Sequence, residues 1–200
     1  PERHIQDMLG VDLGIVNLAF DSEGHAYSGE KIEDTRRRYA HRRRNLQRKQ
    51  TSSAKRKLRL ISGRQARFQK DTNHCISKSI VATAQRSGSA IALEDLHGIR
   101  DRVQARRRQR ARLHNWPFAQ LRAFLSYKAR LAGIPVLFVD PRNTSRTCPT
   151  CGCVDKRNRP TQATFSCISC NFAGIADYVA AQNIAFRARA VVNPPMGATA

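Results

Sequence analysis

Two hundred residues carry 36 Lys and Arg against 15 Asp and Glu, a formal charge of +21, with 40% hydrophobic residues. The length allows one domain with an insertion or two small ones, and enough apolar chain for a core. The charge points to a polyanionic partner, nucleic acid ahead of a membrane surface. No apolar run nears the roughly 20 residues of a membrane span, no signal-peptide pattern opens the chain, and four of the six cysteines fall in two Cys-x-x-Cys pairs, a spacing that favours metal in a reducing, cytoplasmic compartment over disulfides.

Met8 to Leu13 reads as a strand and Asn17 to Phe20 as its continuation or successor. Asp21-Ser22-Glu23-Gly24 is a turn signal, after which His25 to Ser28 returns as a hairpin. From about Asp34 to Arg86 the texture becomes helical and basic. Residues 36–70 hold fifteen Lys or Arg and no Asp or Glu. Leu58, Ile61, Phe68, Ile76 and Ile80 give one thin apolar stripe, with Cys75 read as a packed thiol on it and Thr51-Ser52-Ser53 as the break of a helical hairpin. Ser89 to Leu93 is a short buried strand ending at Glu94-Asp95. Arg100 to Arg112 holds seven Arg and reads as a loop or second basic helix. Asn115-Trp116-Pro117 starts a helix whose buried stripe is Leu121, Phe124, Leu125 and Leu131 and which Gly133 ends. Ile134 to Val139 is another buried strand, Asp177 to about Ala190 an Ala-rich helix, and residues 191–200 a disordered tail. Helices separate the later strands, so those strands are expected to be parallel, in an α/β layer fold with a compact insert.

The insert carries Cys148-Pro149-Thr150-Cys151 and Cys167-Ile168-Ser169-Cys170, fifteen residues apart. Two such knuckles turned toward one ion make a closed, structural four-thiolate zinc site, with an iron–sulfur centre as the alternative occupant. Cys153 is a spectator at poorer spacing. Three acids form the second constellation. Alternation puts Gly10, Asp12 and Gly14 on one strand face and Ala90, Ala92 and Glu94 on one face of the other, while Asp177 shares a helix face with Ala181, Ile184 and Ala188. Three converging carboxylates repel and desolvate one another unless divalent cations join them, and hard oxygen donors select Mg²⁺ or Mn²⁺. Each acid taken singly has a plainer reading, a salt bridge to Arg or, for Asp177, a helix N-terminal charge. Asp95 is expected on the opposite face, Asp140 as a turn acid, and His97 as solvated or a substrate contact.

Taken in order, Gly10-Val11-Asp12-Leu13-Gly14-Ile15, Ala92-Leu93-Glu94-Asp95-Leu96, Thr144 to Gly152, Cys167 to Cys170 and Ala176-Asp177-Tyr178-Val179-Ala180-Ala181-Gln182-Asn183-Ile184 resemble the C-terminal half of the TnpB/OrfB transposon-encoded proteins, long described as transposases. The set is also similar to the nuclease half of type V CRISPR effectors. The resemblance implies an α/β, RNase H-like (RuvC-like) mixed sheet flanked by helices with an inserted zinc ribbon. It implies a catalytic, Mg²⁺-binding triad of Asp12, Glu94 and Asp177, zinc on Cys148, Cys151, Cys167 and Cys170, and endonuclease action on target DNA under a guide RNA. The expected organisation is a first nuclease part over 1–143 that includes the basic region 34–86, a ribbon over 144–173, a final nuclease helix over 174–190 and a tail over 191–200. Arg42, Arg43, Arg44, Arg56, Arg106, Arg107, Arg108 and Arg146 are the expected phosphate contacts. The family's usual Asn two residues past the last acid is Val179 here, while Asn183 is kept. The chain opens on Pro1, and the expectation is a fragment or processed form that lacks the family's guide-recognising half. The competing reading is a nucleic-acid-binding remnant without catalysis; a stand-alone junction resolvase would not carry the ribbon.

Overall fold

The computed structural model describes residues 7–14, 16–95 and 118–193. The readings placed on Ile15, Leu96, His97, the Arg100 to Arg112 segment with Arg106, Arg107 and Arg108, Asn115 to Pro117 and 194–200 lie outside them.

The centre of the fold is a five-stranded sheet of β1 (Met8–Asp12), β2 (Asn17–Asp21), β3 (Ala26–Ser28), β4 (Ala90–Glu94) and β5 (Val136–Val139) in the order β3-β2-β1-β4-β5. β1 pairs antiparallel with β2 and parallel with β4, and β4 pairs parallel with β5, so the sheet is mixed. Strand alternation works as the sequence implies. Leu9, Val11, Ile91 and Leu93 face one core, where they pack on α2 (Ser52–Ser87) and α3 (Phe118–Leu131) through Ile76, Ile80, Ala84, Leu121, Leu125 and Ala129. Met8, Ala90, Ala92 and Val139 face the other, against Ile184, Ala185 and Ala188 of α4 (Ala176–Val192). Each fully buried Leu or Ile stabilises the layers by roughly 1.5–3 kcal/mol.

The basic hairpin pairs α1 (Glu30–Lys49) with α2. The break falls where expected: Gln50 is left-handed (φ 51°) and the Thr51 hydroxyl caps α2 by accepting from Ala54 N at 3.2 Å. Glu30 and Glu33 lie in the first turn of α1, where acids oppose the positive end of the helix dipole. Apart from Ala54 in its first turn, the apolar stripe of α2 is deep only toward its C-terminal end. Ile76 and Ile80 are buried, whereas Leu58, Ile61 and Phe68 are half-buried.

Four readings need correction. Cys75 is exposed rather than packed, because it points off the stripe that Ile76 and Ile80 define. Leu131 is 80% exposed, and Ala129 takes the core position before Gly133 (φ 67°) ends α3. Ile134 to Val139 is not uniformly buried: β5 is an edge of the sheet, and Phe138 is exposed beneath the Arg122 guanidinium, 4.2 Å from its ring centroid. Val191 and Val192, assigned to a tail, complete the last turn of α4.

Between β5 and α4 the chain forms a small module. A bridge between Thr147 and Val154 closes the first knuckle, a 3₁₀ turn spans Lys156–Asn158, and β6 (Thr164–Ser166) pairs antiparallel with β7 (Ala173–Ile175).

Candidate functional site: an acid cluster beside a four-cysteine centre

The acid cluster is assembled by register. Val11 pairs with Leu93, so one further step places Asp12 beside Glu94 at the ends of neighbouring parallel strands. Asp177 arrives from α4, which crosses β1 in very close contact. A Cβ built on Gly10 would lie 2.0 Å from the Ala181 carbonyl oxygen and 2.6 Å from Ala185 N. Glycine on the strand and alanines on the helix therefore let α4 sit directly on β1. The Arg189–Asp7 ion pair (3.2 Å) at the other end of α4 shows the helix running antiparallel to the strand, which brings its first turn over Asp12.

Burial and mutual repulsion shape the electrostatics. Burial first, then the charges of Glu94 and Asp177, push the Asp12 carboxyl up to about 8, with Arg159 opposing. Burial also raises Glu94, against the hydrogen bond from Thr144 and the positive charges of Arg187 and Arg159. Asp177 accepts from Asn17 Nδ2 at 2.9 Å and pairs with Arg159 at 3.2 Å. Asp12 thus lies close enough to both Glu94 and Asp177 for their charges to oppose its ionisation. Hard oxygen donors that repel each other in a buried setting suit divalent cations. Asp95 points to the other face, where Arg122 binds it at 3.2 Å, and Asp140 caps its own turn by accepting from Arg142 N at 2.9 Å.

The second cluster is more compact. Among the described residues, the sulfurs of Cys148, Cys151, Cys167 and Cys170 form the one group of potential ligand atoms all within 4.8 Å of one another. The Cys148–Cys170 and Cys151–Cys167 sulfurs are each 3.5 Å apart. Sulfurs held about 2.3 Å from one tetrahedral ion would be roughly 3.8 Å apart, so the four fit zinc. The backbone N–H groups of Cys170 and Ser169 lower the Cys167 thiol, whereas, against the backbone N–H of Phe172, burial and the neighbouring sulfurs raise Cys170, so the crowded sulfurs do not all ionise alike without a metal. Cys153 stands outside the four, and its carbonyl accepts from Cys148 N at 2.9 Å. Val179 is fully buried with Cys148, Phe165 and Cys167 and supplies apolar packing under the knuckles.

The sequence did not announce three groups that serve the acids. Asn17 and Arg159 bind Asp177, and Thr144 binds Glu94. Arg159 comes from the cysteine module and is fixed there by donating to the Gln162 carbonyl at 2.8 Å. In the sequence it was one of two Arg between the knuckles, with nothing to set it apart from Arg157. Of the expected phosphate contacts, Arg42, Arg44, Arg56 and Arg146 are exposed, and Arg43 is half-buried and donates to Gln65 at 2.5 Å.

A mixed sheet and a helix that bring three half-buried acids beside a four-cysteine centre define a class of two-centre α/β protein, and comparison narrows it. Residues 1–100 match the OrfB_IS605 family model, described as a probable transposase, and residues 118–184 match the Cas12f1-like TNB domain. The chain belongs to the OrfB/TnpB probable-transposase family. It is 30% identical to the TnpB-like protein MJ0751 of Methanocaldococcus jannaschii over 91% of this chain and 69% of that protein. It is 35% identical to the CRISPR-associated endodeoxyribonuclease Cas12f1 of Sulfoacidibacillus thermotolerans, over 92% of this chain and 47% of that one. The fold resembles the protein in a Cas12f1–sgRNA–target DNA complex, with a TM-score of 0.72 at 22% identity over 92% of this chain and 51% of that one. The chain therefore spans about a third to a half of the length of the Cas12f1 relatives it matches.

Proposed function

We propose that this chain is the nuclease half of a TnpB-like, RNA-guided DNA endonuclease, with a RuvC-like, RNase H-type core. The observation that carries the proposal is the meeting of Asp12 and Glu94 at adjacent strand ends beneath the helix that carries Asp177, where burial and the neighbouring charges raise the Asp12 carboxyl. A cluster that costs so much to ionise is explained by cations that belong in it. Two Mg²⁺ or Mn²⁺ ions on Asp12, Glu94 and Asp177 would supply the Lewis acidity that activates water and stabilises the leaving 3′ oxygen of a phosphodiester. The protein's own part is positional. β1 and β4 fix two acids at adjacent strand ends, α4 lowers the third onto them, and Asn17 and Arg159 orient Asp177. In this reading residues 1–143 and 174–190 make the nuclease core, and residues 144–173 form a ribbon that Cys148, Cys151, Cys167 and Cys170 close on structural zinc.

The exposed arginines of the α1–α2 hairpin, with Arg146 beside the first knuckle, would hold DNA and guide RNA through phosphates, without reading bases. No described helix is long and apolar enough to cross a membrane. With nucleic acids as its proposed partners, the protein would work in the cytoplasm, at the nucleoid.

The test is Mg²⁺-dependent cleavage of single-stranded DNA by the purified chain. Asp12→Ala and Glu94→Ala should each abolish cleavage while zinc content and far-UV circular dichroism stay those of the wild type. Full cleavage by either variant would remove the site assignment. A wild-type chain that binds DNA and cuts none, with Mg²⁺ or with Mn²⁺, would favour a binding module without catalysis.

A further inference from the structure

Thr144 joins the two centres. It is 3% exposed and lies in the turn that leads from β5 to the first cysteine knuckle. Its hydroxyl donates to a Glu94 carboxylate oxygen and also lies 3.0 Å from the Pro141 carbonyl. Its own carbonyl accepts from Asn183 Nδ2 at 2.7 Å, and the other N–H of that amide reaches the Thr147 carbonyl at 2.8 Å. Asn183, 5% exposed, thus spends both amide hydrogens on this one turn. The turn closes on itself as well, with the Arg146 and Thr147 N–H groups both donating to the Asn143 carbonyl at 2.9 Å. Cys148 follows directly, its sulfur among the four.

We infer that Thr144, held in register by Asn183, is a positioning residue for Glu94. The inference rests on the metal-site reading above. A glutamate at a strand end has three side-chain torsions, and a cation that met it loose would have to order them at its own cost. The Thr144 hydroxyl fixes the carboxylate beforehand and engages one of its oxygens, leaving the other for a metal ion. Because the backbone of Thr144 hangs from α4 through Asn183, the helix that brings Asp177 also sets the turn that orients Glu94. Two of the three acids are then placed by one element. Partners of metal ligands that act in this way change metal affinity by about 10–100-fold when removed.

The experiment measures Mn²⁺ binding to the full, zinc-loaded chain by the loss of the free Mn²⁺ electron paramagnetic resonance signal. Wild type is compared with Thr144→Val, Thr144→Ser and Asp12→Asn, with zinc content and melting temperature followed in parallel. Thr144→Val keeps the side-chain shape and deletes the hydroxyl, so it should bind Mn²⁺ at least about tenfold more weakly. Thr144→Ser restores the donor and should return affinity to within a few-fold of wild type, and Asp12→Asn should lose it. A Val variant with wild-type affinity beside an Asp12→Asn variant without any would overturn the role of Thr144 and leave the metal site standing. A Ser variant as weak as Val would overturn it too, since the hydroxyl would then not be the operative group. Equal Mn²⁺ binding by wild type and Asp12→Asn, or none by wild type, would overturn the metal site and the positioning role with it.

Discussion

The first turn of α4 stands between two clusters of ionisable side chains that are built on opposite plans. Ala176 and Val179 pack with Cys148 and Cys167, and the charge of Asp177 acts on Asp12. The sulfurs crowd within 4.8 Å of one another, whereas the carboxylate oxygens do not all come that close. The difference follows from how each cluster is made. Each knuckle brings two cysteines together within four residues, so only one long-range contact is needed. The acids come from two strands and a helix, and their spacing is set by packing between large elements. A compact soft-ligand cluster suits one ion with no open position. A wider cluster of hard donors leaves room for cations and for substrate oxygens.

Loss of the sulfur cluster should have the largest effect. Cys167→Ser should lose zinc and unfold the module, since structural zinc in small modules contributes on the order of 10 kcal/mol. Hydrogen exchange should show amide protection vanishing over 147–175 and persisting in β1 and β4; simultaneous loss in both would mean that the two centres fold as one unit. Next comes the helix–strand contact. Gly10→Ala puts a methyl group where Ala181 and Ala185 already are and should cost about 1–3 kcal/mol in a urea titration. It should weaken Mn²⁺ binding and leave zinc in place, because it moves Asp177 away from Asp12 without touching the knuckles.

The smallest effect is a pH dependence. The Asp12 carboxyl lies near 3.8 in the unfolded chain and about 8 in the fold, so the folded state binds the extra proton. Its stabilising contribution is complete below about pH 3.8 and is lost as pH rises through about 8. In Mg²⁺-free buffer with zinc retained, Asp12→Asn should therefore melt above wild type by a margin that widens from pH 6 to pH 9, by roughly 5 °C. A margin constant over that range would separate Asp12 from the repulsion assigned to it.

Much of this arrangement was legible in the sequence because it rests on short periods. Period-two alternation in Met8–Asp12 and Ala90–Glu94 put both acids on the face opposite Val11 and Leu93, and there they stand. The cysteine spacing was likewise local. What escaped depended on neighbours distant in sequence. Whether Ile134 to Val139 is a central or an edge strand is decided by the order of all five strands, which no window of residues contains. The exposure of Cys75 and Leu131 depended on where a helix meets its partner, and a rotation of one position moves a residue across that boundary. Arg159, Asn17 and Thr144 are ordinary polar residues in loops or at a strand end, and only the fold brings them to Asp177 and Glu94.

The docking of α4 on Gly10 also fixes when the acid cluster can exist. During synthesis, chains fold from the N-terminal side at about 5–20 residues per second. Asp12 and Glu94 can pair on adjacent strands as soon as β4 has left the ribosome. Asp177 cannot join them until the cysteine module has been made and α4 has emerged far enough for Ala181 and Ala185 to settle on β1. A nascent chain that has not yet reached α4 therefore carries two acids and no third, and the centre stays incomplete until α4 has been made.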